Sequence, residues 1–135
     1  MMKKILSLAT AALLLAGSLI SCSGKSGGSS DTIKIGGVGP TTGGAASYGT
    51  SVKNGASLAV KEINDAGGVN GLKLELSFED DENDPEKAVN AYNKLKDSGM
   101  QILMGTVTST PCKAVKDNAH DDNMFLLTPS GSAVE

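Results

Sequence analysis

Thr32-Ile33-Lys34-Ile35-Gly36-Gly37-Val38 opens the stretch that decides the fold, which runs on through Gly71. It is short, β-branched and alternating at its start, the pattern of a strand entering a core. Gly39-Pro40-Thr41-Thr42-Gly43-Gly44 follows as a loop. From about Gly49 to Ala66 the period becomes helical, with Val52, Ala56, Ala59, Val60 and Ile63 on one stripe. Gly67-Gly68 ends the helix and Asn70-Gly71 turns the chain back. Strand, crossover helix and return strand make a parallel βαβ unit.

The same rhythm continues downstream. Leu72-Lys73-Leu74-Glu75-Leu76-Ser77-Phe78-Glu79 alternates strictly, and its one wet face places it at a sheet edge. Glu79-Asp80-Asp81-Glu82-Asn83-Asp84 invites a calcium reading but lacks the central Gly and distal Glu of an EF-hand loop, so a solvated turn is expected and no metal. Asp84-Pro85-Glu86 starts a helix: the carboxylate accepts from orphan N–H groups, Pro85 has its φ preset, and Glu86 suits the positive end. Gly99 closes that helix, and Met100–Gly105 reads as a central strand. A further helix is expected from Ser109 or Thr110 to about His120, then a strand over Met124–Leu127. The fold class is therefore α/β, a doubly wound parallel sheet of Rossmann-like type. Right-handed crossovers make its strand order 2-1-3-4, with the topological switch between the first and third strands.

The 135 residues, 39% of them hydrophobic, allow one domain at most. Residues 1–21 stand apart from it. Lys3 and Lys4 precede the apolar run Ile5–Ile20, which is short for a spanning helix and has the shape of a signal peptide. The run ends in Leu19-Ile20-Ser21-Cys22, which resembles a bacterial lipobox with Cys22 as the lipidated residue. Residues 22–31 then form a Gly/Ser tether that gives roughly 15 Å of slack between a lipid anchor and a domain over 32–135. The expected location is extracytoplasmic, on the membrane through that anchor. Losing Lys3 and Lys4 moves the formal charge from −3 to −5. An acidic chain without arginine is a poor partner for nucleic acid. With Cys22 modified, Cys112 has no intrachain partner; Cys112, Val115 and Ala119 share a helical face, which predicts a buried structural thiol.

In a 2-1-3-4 sheet the loops Gly39–Tyr48, Gly105–Thr110 and Thr128–Ser132 converge at the carboxyl ends of the strands. They are rich in Thr, Ser and Gly and hold no charged residue. Hydroxyls and free N–H groups at a helix N-terminus suit an anionic head group such as a carboxylate. Without arginine no bidentate guanidinium clamp is available. Ser109 could donate through both its N–H and its hydroxyl, Ser132 could add a hydroxyl, and the Ser130 carbonyl could accept from an ammonium. Tyr48, read as lying just before the first helix, could form an apolar wall with a polar tip. The alternative is that these Ser and Thr residues only cap helices and turns.

Ile33-Lys34-Ile35-Gly36, Tyr48-Gly49 with Asn54-Gly55-Ala56, Ile63-Asn64-Asp65-Ala66-Gly67-Gly68, Asp80-Asp81 with Asp84-Pro85, and Thr128-Pro129-Ser130 carry a resemblance. Together they resemble the N-terminal lobe of the periplasmic leucine/isoleucine/valine-binding proteins, type I solute-binding receptors of ABC importers. The resemblance covers Thr32–Glu135 and implies an incomplete, apparently truncated lobe whose partner lobe would close over the ligand. It implies a Leu/Ile/Val-like amino acid as ligand and an ABC permease as membrane partner, with no cofactor. Its α-carboxylate would be held at the positions of Ser109 and Ser132 and its α-amine by the carbonyl of Ser130, with Tyr48 lining the pocket. Some members carry a disulfide at positions matching Asn83 and Thr108, and neither is Cys here.

Enzymatic readings find no constellation. Gly37-Val38-Gly39 with Gly43 echoes a dinucleotide loop, but the helix begins well after those glycines. His120, the only histidine, falls near a helix end opposite the carboxyl-edge loops. A ligand-sensing lobe reporting to a membrane signalling partner, or a non-binding orphan fragment, are the alternatives to transport.

Overall fold

A computed structural model describes residues 32–133; the expected signal peptide, Cys22 and the tether lie outside them. Four strands alternate with three helices: β1 Thr32–Gly39, α1 Ala46–Asp65, β2 Lys73–Asp80, α2 Pro85–Asp97, β3 Ile102–Gly105, α3 Ser109–Asp121 and β4 Phe125–Leu127. All strand pairs are parallel, and the order is β2-β1-β3-β4. The doubly wound sheet, its order and the edge position of β2 are as the sequence predicts.

Register sorts the side chains onto two faces. Opposite Gly36 and Val38 of β1 stand positions of β3 that include Leu103, and α2 and α3 cover this side. Val38, Tyr92, Leu103 and Val115 are wholly buried there, with Ala88, Leu95, Met100 and Ala119 around them. The Tyr92 hydroxyl reaches the rim and donates to Asp122 at 2.7 Å, where Lys96 also donates. Those two donors pull the Asp122 carboxyl below its ordinary range. On the other face α1 packs over β2 and β1. Phe125 and Leu127 of β4 remain 65% and 57% exposed on that side.

Cap chemistry accounts for α2: Asp84 accepts from the Lys87 N–H at 2.9 Å, and Pro85 occupies the first turn. Asn70 and Gly71 take left-handed φ of 52° and 84° between the bridged Val69 and Leu72, as a tight turn requires. Asn64 fastens the end of α1 to the edge strand, donating to the Leu74 carbonyl at 2.8 Å and accepting the Leu74 N–H at 2.7 Å.

Four expectations need correction. The first helix begins at Ala46, not near Gly49, so Tyr48 lies inside its first turn rather than before it. No side chain caps that end, so the start carries no sequence signal. Gly49 is instead the one buried residue of α1, where a Cβ would stand 1.9 Å from the Pro40 carbonyl oxygen. Met100 precedes β3 and fills the core beneath Gly36. The acid run is not simply solvated, because Asp81 is 0% exposed. Cys112 is half-buried rather than core, since it belongs to the first turn of α3, above the layer where Val115 and Ala119 are buried.

Candidate functional site

The carboxyl-edge loops meet as the topology requires. The Val107 N–H donates to the Val38 carbonyl at 3.0 Å, tying the loop after β3 to the end of β1. Gly105, at φ 131°, comes so close to β1 that a Cβ would stand 2.4 Å from the Val38 carbonyl oxygen. The loop after β4 docks through hydroxyls: Thr128 donates to the Thr106 carbonyl at 2.9 Å and Ser130 to the Val107 carbonyl at 2.7 Å. Thr128 also accepts the Gly131 N–H at 3.1 Å, a side chain closing its own turn.

Ser109 is the first residue of α3, where the helix N-terminus concentrates positive potential. Its Oγ accepts the backbone N–H groups of Ser132 and Ala133, each at 3.2 Å. Among the described residues the Ser109 hydroxyl proton has no acceptor, which leaves it for an external one. Thr108, the residue before the helix, makes no side-chain cap, and Pro111 brings no N–H. The Ser109 and Thr110 N–H groups are therefore uncapped by side chains, and the arrangement offers neutral donors to a carboxylate. Beside it runs a groove of about 260 Å³ whose walls include Ser109, Cys112, Lys113, Thr128 and Gly131.

The structure thus joins Ser109, Ser130 and Ser132 on two touching loops. Tyr48 lies in the first turn of α1, 61% exposed, and among the described residues no hydrogen bond ties it to that cluster. Thr128 and the Ala133 N–H are contributors that position alone did not single out; the Thr128 hydroxyl three residues before Gly131 was the available signal.

A second knot borders the site. Burial alone would raise the Asp80 carboxyl, yet donors from the Thr42 hydroxyl, the Glu82 N–H and the Thr41 N–H take it well below the usual carboxylate range. Asp80 thereby holds the loop after β1. Burial pushes Asp81 the other way, aided by the neighbouring Asp80 charge. One Asp81 oxygen accepts the Asn83 N–H at 2.9 Å and the other has no partner among the described residues. At the positions where the resemblance implies a disulfide, the Thr108 hydroxyl donates to Asn83 Oδ1 at 2.7 Å. Among the described residues no His/Cys/Asp/Glu group could hold a metal ion, and no helix is long and apolar enough to cross a membrane.

The molecule is an α/β lobe: a doubly wound sheet with hydroxyl-rich loops converging on a helix N-terminus. A family model described as periplasmic binding protein matches residues 32–135, and the chain belongs to that family. It is 42% identical over 105 residues to the leucine-, isoleucine-, valine-, threonine- and alanine-binding protein of Pseudomonas aeruginosa, covering 78% of this chain and 28% of that one. Among solved structures it is similar to the branched-chain amino acid transporter substrate binding protein LivJ of Streptococcus pneumoniae in complex with isoleucine. That match has a TM-score of 0.72 and 35% identity, over 76% of this chain and 30% of the other. An ABC transporter substrate-binding protein of Desulfitobacterium hafniense in complex with leucine matches with a TM-score of 0.66 and 31% identity, over 76% and 30%. The chain thus spans about three tenths of the length of these relatives.

Proposed function

We propose that this chain supplies the N-terminal lobe of an extracytoplasmic, lipid-anchored substrate-binding component of an ABC importer for branched-chain or related amino acids. In this reading the ligand's α-carboxylate sits at the start of α3 on Ser109, with Ser132 as a second hydroxyl contact. The Ser130 carbonyl takes the α-amine, and Tyr48 supplies a wall. The permease in the membrane is the partner, and Cys22 carries the lipid. The observation that carries the reading is the Ser109 hydroxyl bridged to the Ser132 and Ala133 N–H groups at an uncapped helix start. Relatives at up to 42% identity named for leucine, isoleucine and valine support the ligand class.

The test is Ser109→Ala in the full receptor, followed by calorimetric titration with a panel of amino acids. Removing a hydroxyl that meets the shared carboxylate is expected to weaken every ligand by a similar factor, about five- to tenfold. A loss confined to one side-chain class overturns the role.

A further inference from the structure

The loop between β2 and α2 reaches across to the start of α3, and its reach has no place in the function described so far. Asn83 takes a left-handed φ of 61°. Its N–H is held by the buried carboxylate of Asp81, whose own carbonyl accepts the Asp84 N–H at 2.7 Å. The loop is thus anchored from below. From that fixed position Asn83 Oδ1 accepts the Thr108 hydroxyl at 2.7 Å.

Thr108 is the residue before α3, with φ −110° and ψ 158°, and Thr in that place ordinarily turns its oxygen onto the second or third N–H of the helix. The third position here is Pro111, which has no N–H, so Thr110 is the one donor such a cap could take. The hydroxyl points to Asn83 instead and no cap forms. Adjacent residues of one loop therefore serve different helices: Asp84 caps α2, while Asn83 accepts from the residue before α3.

We propose, resting on the reading that the start of α3 takes the ligand's carboxylate, that Asn83 is a positioning residue: by accepting the Thr108 proton it fixes the side-chain rotamer in which the Thr108 oxygen makes no cap, and so keeps the Thr110 N–H open to the ligand. The helix forgoes its own cap, and the ligand supplies the missing acceptor. Asn83 touches no ligand in this scheme and acts through Thr108.

The experiment is amide NMR on the full receptor, reading exchange at Thr110 and the response of Ser109 and Thr110 to leucine. Asn83→Gly removes the acceptor while tolerating the positive φ. It is expected to slow Thr110 exchange several-fold and to raise the apparent Kd for leucine about five- to tenfold, the loss of one good hydrogen bond. Asn83→Asp keeps an acceptor and keeps the wild-type exchange. Thr108→Val cannot cap, so added to Asn83→Gly it restores rapid Thr110 exchange and leucine binding. A double variant as weak as Asn83→Gly alone, or unchanged Thr110 exchange in Asn83→Gly, overturns the proposal. Should wild-type Ser109 and Thr110 ignore leucine altogether, the carboxylate reading fails, and Thr110 exchange alone still decides what Asn83 does.

Discussion

The two faces of this sheet are built to different degrees. Under α2 and α3 the side chains interlock, with Tyr92, Leu103, Val38 and Val115 sealed from solvent. Under α1 the helix buries one glycine, its Ala59 and Ile63 stay exposed, and the β4 residues Phe125 and Leu127 are open. Sequence hydrophobicity does not distinguish these residues, since Leu103 and Leu127 are chemically identical and one strand apart. What differs is whether a crossover helix passes over them. Each right-handed crossover puts its helix on a side set by the direction of travel, so β2-to-β3 and β3-to-β4 both build on one face. Among the described residues a single crossover, β1 to β2, runs in the opposite direction.

The sharpest way to break this contrast is a matched truncation. Leu103→Ala should cost about 2–5 kcal/mol, since it opens a cavity in a packed layer. Leu127→Ala should stay within about 0.5 kcal/mol. Urea melts of the two variants decide it, and equal losses would mean that the faces are energetically alike.

A smaller effect is carried by protons. Asp81, raised by burial, contributes stability that is complete below its unfolded value and is lost as pH rises through its native one. Asp80, lowered, contributes stability present above its unfolded value and lost as pH falls toward its native one. Asp81→Asn should therefore remove the decline toward neutral pH, and Asp80→Asn should remove a share of the decline in acid. Urea midpoints followed from about pH 3 to about pH 8 separate the two signs. Parallel profiles for both variants would contradict the opposite environments of these neighbours.

The smallest stability effect belongs to Leu127→Lys, within about 0.5 kcal/mol, accompanied by less self-association in size-exclusion chromatography. A large loss of stability would mean that the open face is covered after all.

The contrast also explains what was legible in the sequence. Strict alternation over Leu72–Glu79, the Asp84-Pro85 start and the β-α-β-α rhythm led to the observed order β2-β1-β3-β4, because these signals are local or topological. The beginning of α1 was misplaced because Ala45 gives no cap signal and the close approach of Gly49 to Pro40 is a tertiary fact. Asp81 reads as one acid among several, and its burial follows only from where β2 ends. Loop position and resemblance single out Ser109, Ser130 and Ser132, and the structure brings the loops that carry them together. Asn83 and Thr108 are paired in the sequence only through the resemblance; their hydrogen bond, across 25 residues, lies beyond any local pattern.

The parallel register has a further consequence, in time rather than in space. Lys34 of β1 donates its N–H to the side chain of Gln101, 67 residues later, and β3 pairs with β1 only beyond that point. At the usual pace of synthesis, about 5–20 residues per second, the first strand waits roughly 3–13 s for its central neighbour. During that interval the packed face, which needs Leu103 of β3, cannot close. A leader at Met1–Ser21, as the sequence predicts, would find in that delay its opportunity to send the chain out before it folds.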